Sequence, residues 1–134
     1  MKVLQLLWGG LIVIGFLLSG VYMSHVIDPD DDLSLISMTY RANHIYWLMS
    51  GLVVITWAQR SRVCEFSWCL WMNRVAGLMI CVAPVLLAAG FVLDAGNLES
   101  DRLWTFYGVI LVFAGIMLSF LSTLIEALVA RQVG

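Results

Sequence analysis

Charge is what this chain has least of. Only 12% of its 134 residues are Asp, Glu, Lys or Arg, against about a quarter in soluble domains. With 62% hydrophobic residues and a mean hydropathy of +0.96, there is too little polar side chain to clothe a water-soluble surface. Basic residues are also scarce: seven against nine acidic, a net charge of −2, which leaves no electrostatic footprint for a nucleic acid. Cysteine is rarer still. Cys64 and Cys69 flank EFSW, which is not a C-x-x-C spacing, and Cys81 stands alone in an apolar run. No thiolate metal set or disulfide framework follows, and an odd, unpaired count suits a reducing compartment or burial in lipid. Proline occurs only at positions 29 and 84, so little interrupts the long apolar stretches.

Those stretches are what the sequence does have. They fall at 3–24, 36–58, 72–93 and 103–130, and at 1.5 Å per residue each covers the ~30 Å hydrocarbon core of a bilayer. The chain therefore reads as an all-α membrane protein, a single four-transmembrane-helix bundle over residues 1–134. The first run is longer than a signal-peptide core and no A-x-A site follows it, so it reads as a retained span. No internal repeat relates the two halves, which gives no support to an inverted-repeat transporter.

Charge placement predicts the topology. Lys2, Arg60, Arg62, Arg74 and Arg131 fall on one side of the spans, Arg41 and Arg102 on the other. The positive-inside bias puts both termini and the 59–74 loop in the cytoplasm of a bacterial-type inner membrane. Trp57, Trp68 and Trp71 mark the inner interface, and the aromatic loop CEFSWCLW is expected to lie along it.

Lipid offers no hydrophobic drive between helices, so contact faces should carry small residues. Gly108, Val112, Gly115, Ser119, Ser122 and Glu126 form one such stripe. Ser37, Arg41, His44, Leu48 and Gly51 form another, and Gly15/Ser19 and Gly20/Ser24 offer close-approach surfaces in the first span. Pro84 removes a helix hydrogen bond and frees a carbonyl one turn back.

The polar candidates cluster in SMTYRANHIYWL, residues 37–48. Measured from Trp57, Arg41 lies about 6 Å inside the outer hydrocarbon boundary and His44 about 10 Å. Arg41 can snorkel; His44 is too deep and too short, so its ring must point into the bundle. Two readings follow. Asn43 and His44 are interhelical hydrogen-bonding groups, or Tyr40, Arg41, Asn43 and His44 line an outward-facing cavity in which Arg41 binds an anionic group and His44 orients or transfers a proton.

Three other features carry less. IDPDDDLS places Asp28, Asp30 and Asp32 at alternate positions with His25 nearby, but an EF-hand loop then needs glycine and a twelfth-position glutamate, where this chain has Leu33 and Thr39. A turn at Pro29 with Asp31 or Asp32 capping the second helix accounts better for it; a loosely held divalent cation is the alternative, and no metal is expected. His25 and His44 are the only histidines, yet their depths differ by about 16 Å, which argues against bis-histidine haem; no cofactor is expected. Glu126, near the inner end of the fourth span, reads as an interfacial ion-pair partner of arginines or as a coupling carboxylate.

The small multidrug-resistance transporters carry a glutamate in the first span, and this first span has no acid. The membrane-associated glutathione enzymes have a second-helix motif that runs on to a glutamate after a basic first loop; RANHIYWLMS has no glutamate and follows an acidic loop. The chain resembles neither. The expectation is a non-enzymatic membrane protein whose outer cluster binds an anionic ligand or lipid headgroup or lines a small transport path. The alternatives are a structural or assembly subunit of a larger membrane complex and, third, a redox (haem or quinone) subunit. Membrane lipids and further copies of the chain are the expected partners.

Overall fold

The computed structural model describes residues 2–26, 35–60, 67–94 and 102–133. Among them the chain is all-helical: α1 (Lys2–Val26), α2 (Leu35–Gln59), α3 (Ser67–Leu93) and α4 (Leu103–Val133). Helices follow from composition, because a backbone surrounded by apolar groups has to satisfy every N–H and C=O internally. None of the four is strongly one-sided in polarity, since outer and inner faces are both apolar.

Three helices, α1, α3 and α4, are long and apolar enough to cross a membrane. The sequence reading places four spans, and α2 is the one that falls short. At 25 residues it has the length, about 37 Å at 1.5 Å per residue, but Arg41, Asn43 and His44 lower its apolarity. α3 begins at Ser67, five residues ahead of the expected span. Part of the stretch read as a surface loop is thus a helical turn in which Trp68 and Trp71 are exposed while Cys69 is buried. α3 also runs unbroken through Pro84. Trp8 Nε1–H of α1 donates to Cys81 O at 3.1 Å, one residue after Ile80, whose carbonyl is the one that Pro84 leaves without a helix donor.

Small residues set the packing. A Cβ on Gly108 would lie 2.8 Å from Leu87, one on Gly115 2.8 Å from Ile80 and one on Gly90 2.5 Å from Thr105. Asn73 Nδ2 donates to Ser122 Oγ at 3.2 Å. The partner positions on α3 and α4 therefore descend and ascend together in steps of three, seven and seven residues, an antiparallel seam with heptad spacing. The α4 stripe expected from the sequence meets α3 at Gly108, Gly115 and Ser122, while Ser119 is buried beside Arg60 at the end of α2.

α1 pairs antiparallel with α2 by the same device. Gly9 abuts Ile55, Gly15 lies under the Trp47 ring, and Gly51 of α2 receives Ile12. Trp57 of α2 packs on Gly77 of α3, and Ile12, Val54 and Ile80 form the apolar centre where α1, α2 and α3 meet. Two helical hairpins, α1/α2 and α3/α4, are thus joined along the α2–α3 seam. Contact between α2 and α4 is slight and leaves a groove between them.

Candidate functional site

Asn43 is fully buried and sits where α2, α3 and α4 converge. Its Nδ2–H donates to Gly90 O of α3 at 3.1 Å. Its Oδ1 accepts a long bond from Arg102 Nη2 at 3.4 Å and lies 3.2 Å from the Thr105 hydroxyl. That hydroxyl and the Thr105 backbone N–H both reach Asp94 Oδ2 at 2.8 Å. Gly90 O also takes the Asp94 N–H at 3.0 Å, so both of its lone pairs are used.

The geometry has a local cause. The residue before α4 is Arg102, held at φ 47°, a left-handed conformation that costs a non-glycine residue on the order of 1 kcal/mol. Arginine has no acceptor and cannot cap the helix it precedes. Asp94, one residue past the end of α3, supplies the missing acceptor to the Thr105 N–H, and its carboxylate sits at the positive end of the α4 dipole. It is 3% exposed, close to full burial for a group that requires partners there.

His44 turns the other way, toward α1. Its ring stacks on Phe16 with centroids 3.9 Å apart, and Nδ1 lies 2.9 Å from Ser19 Oγ. The Ser19 hydroxyl donates to Phe16 O at 2.8 Å, so the pattern assigns the proton of the His44–Ser19 bond to Nδ1. Replacing Ser19 by alanine is expected to lower the denaturant-unfolding free energy by about 0.5–1.5 kcal/mol, the worth of one interhelical bond. A loss above about 3 kcal/mol would show that the pair does more than join α1 to α2.

The sequence motif is therefore distributed rather than convergent. Asn43 enters the α2/α3/α4 junction, His44 the α1/α2 seam, and Arg41 stands on the exposed face of α2. Tyr40 lies edge-on to Phe91, centroids 5.3 Å apart. It helps to line an aromatic cavity of about 490 Å³ with Ser19, Tyr22, Trp47 and Phe91. His25 is exposed at the end of α1, with Nδ1 2.9 Å from Val21 O. Asp28, Asp30 and Asp32 lie outside the described residues. Among the described residues no three of His, Cys, Asp and Glu come together as a metal site. Glu126 is half-buried, one turn beyond Ser122 on α4.

Asp94, Arg102 and Thr105 belong to the junction and are not candidates in the sequence reading. The available signal was Asp94 four residues after Gly90, followed by Thr105 at the start of the next apolar run. A second set was also missed. Arg60, just past α2, donates from Nη1 to Ser119 Oγ and from Nη2 to Thr123 Oγ1, and its guanidinium carbon lies 5.5 Å from the Trp57 ring centroid. Near it, Asn73, Cys69 and Ser122 link α3 to α4.

Fold and contacts together define an all-α chain, three of whose helices are long and apolar enough to cross a membrane, held by buried polar contacts between helices. Comparison with protein-family models, with curated proteins and with solved structures finds no match.

Proposed function

We propose that this chain is a non-enzymatic, four-span protein of a bacterial-type inner membrane, with both termini cytoplasmic. On this reading it is a structural or assembly subunit, working as a homo-oligomer or within a larger membrane complex. The observation that carries it is Asn43: buried, bonded through both ends of its amide, and joining three helices. A polar group so committed positions helices instead of meeting a substrate. The exposed surfaces of α1 and α4 are almost wholly apolar, as helices in lipid or against other helices require. α2 would cross with Asn43 turned to α3 and α4 and His44 to α1, and with Arg41 left on its exposed face.

Extraction in polymer-bounded membrane discs followed by mass measurement tests the assignment. A defined stoichiometry above one chain, with cross-links from the exposed face of α1 or α4, is the expected result. A monomer with no cross-linked neighbour overturns it. Topology has its own test. In a chain freed of its native cysteines, a cysteine at position 100 is expected to react with an impermeant reagent added from outside, and one at position 61 is not. The reverse pattern inverts the orientation.

A second reading keeps the outer end as a binding site for an anionic ligand or lipid headgroup, or as the mouth of a small transport path. It is favoured by the exposed Arg41 and the aromatic cavity beside Tyr40. Arg41→Lys would then weaken binding of a carboxylate or phosphate while leaving stability unchanged, because the planar two-pronged fork is lost and the charge is kept.

A further inference from the structure

We propose that the aromatic cavity at the Tyr22 end of the bundle binds a small quaternary ammonium ion, held against the rings of Tyr22, Tyr40, Trp47 and Phe91. The inference goes beyond the subunit role above. It uses the proposed membrane placement only to set aside a lipid as the occupant.

The cavity encloses about 490 Å³, within the range of small-molecule sites. Contact between α1 and α3 is slight, so Tyr40 and Trp47 of α2 are reached between them. Phe91 is the fixed element: only 6% exposed, it meets the three other rings. Tyr22 and Tyr40 stand at 65° and 72° to it, with centroids 6.4 and 5.3 Å away, and Trp47 at 34° and 6.1 Å. Two rings set so steeply form a corner, and a group lodged in a corner meets two ring faces. Gly15 admits the indole: a Cβ there would lie 2.9 Å from the Trp47 ring.

Electrostatics selects the occupant. The face of an aromatic ring is its negative side, and a cation within about 6 Å of the centroid is attracted to it. Among the described residues no Lys, Arg or His lines the cavity, so no fixed charge competes for that place. The one aliphatic hydroxyl, Ser19, already donates to Phe16 O and pairs with His44. A primary ammonium would bring N–H donors to a wall that offers few acceptors. A quaternary ammonium has no N–H to satisfy, and its charge is spread over alkyl groups that suit an apolar wall. The charge at this end has the matching sign. Residues 27–34 and 95–101, which join α1 to α2 and α3 to α4, hold six acids and no Lys or Arg, and such a balance concentrates cations nearby. An anion on Arg41, the second reading above, would not use these rings, since Arg41 is not among the lining residues.

Depth separates a free ion from a lipid headgroup. Tyr22 lies four residues and Gly15 eleven from Val26, the last residue of α1, or about 6 and 16 Å. A choline headgroup tethered to its own acyl chains stays at the membrane surface and would have to sink through that distance. A free ion has no such tether.

The test titrates the full chain in an uncharged maltoside detergent with choline and, separately, with its carbon isostere, in which a tert-butyl group replaces the trimethylammonium. Binding is read by saturation-transfer NMR on the methyl protons that the two compounds share, against empty micelles. The wild type is expected to bind choline about tenfold more tightly than the uncharged isostere. Phe91→Leu keeps an apolar side chain but removes the central ring, and is expected to bring the two affinities within about twofold of each other. Tyr22→Leu, at the exposed rim, is expected to cut the preference about threefold, which keeps the test decisive should Phe91→Leu fail to fold. Tyr40→Phe retains the ring and loses only the hydroxyl, so the preference should stay as it is.

Equal affinity of the wild type for the two compounds overturns the proposal, as does a preference that survives in Tyr22→Leu and in folded Phe91→Leu. So does loss of the preference in folded Tyr40→Phe, or competition by phosphatidylcholine, which would make the cavity a headgroup site. Failure of the membrane placement is separable. The chain would then leave membranes at alkaline carbonate extraction, while the choline preference, measured in detergent, would stand.

Discussion

Gly90→Ala is expected to be the most damaging methyl group that can be added to this protein. An ideal Cβ at that position would stand 2.5 Å from Thr105 Oγ1, 2.9 Å from Thr105 N and 3.2 Å from Asp94 Oδ2. All three atoms belong to the hydrogen bonds that close the α3–α4 end, and one of them is backbone. The backbone nitrogen cannot swing away, and the two side-chain oxygens are held by their bond to each other. The helices must separate by several tenths of an ångström, which stretches both bonds to Asp94 and draws Gly90 O away from Asn43. Overpacking of 1–3 kcal/mol and the weakened contacts together give an expected loss of about 3 kcal/mol, read as a fall in the unfolding midpoint in detergent. Gly10 supplies the control, because nothing lies within 4 Å of a Cβ there. Gly10→Ala should change stability by less than about 1 kcal/mol, since alanine is the better helix former. Equal effects at the two positions would refute close approach as the reason for glycine at 90.

Asn43→Asp changes the side chain's size hardly at all, yet is expected to cost more than Asn43→Ala. The amide Nδ2 donates to Gly90 O at 3.1 Å; a carboxylate would place an acceptor against that acceptor. It would also bring a second negative charge to a hydroxyl already shared with Asp94. Arg102 offsets part of this from 3.4 Å, but it is exposed, and solvent screens what it returns. Alanine loses the two ends of the amide and leaves a small cavity, about 2 kcal/mol. Gly90 O keeps its bond from Asp94 N–H and Thr105 keeps Asp94, so no buried group is orphaned by that change. Aspartate adds a buried charge that Arg102 offsets only in part, and an expected total of about 3–5 kcal/mol. The pairing Asn43→Asp with Asp94→Asn removes the like charge and should recover part of the loss, a coupling visible in a double-mutant cycle. If Asn43→Ala proves the worse of the two single variants, the amide is not donating to Gly90 and the junction is wired differently.

Much of the helical framework was legible in composition and local pattern. Long runs with little Pro or charge place four helices, because a backbone with no water nearby has only its own groups to bond. The face of α4 that meets α3 was also legible: Gly108, Gly115 and Ser122 share a side by helical periodicity, and small residues are what close approach needs. The beginning of α3 was not, since Trp68 and Trp71 read equally well as surface anchors; burial of Cys69 between α3 and α4 turns that stretch into helix. Nor was the rotation of α2. Arg41 and His44 lie 60° apart around a helix and Asn43 lies 100° from His44, so the sequence alone allowed them to line one cavity. Tertiary structure divides them: His44 meets Ser19 across 25 residues of sequence, Asn43 meets Gly90 across 47 and Thr105 across 62. Periodicity tells which residues share a side of one helix, whereas which neighbour that side meets depends on partners far along the chain. In helices apolar all round, no contrast between a greasy face and a polar one sets the rotation. The few polar groups set it by finding one another, and that choice is made only when all four helices are together.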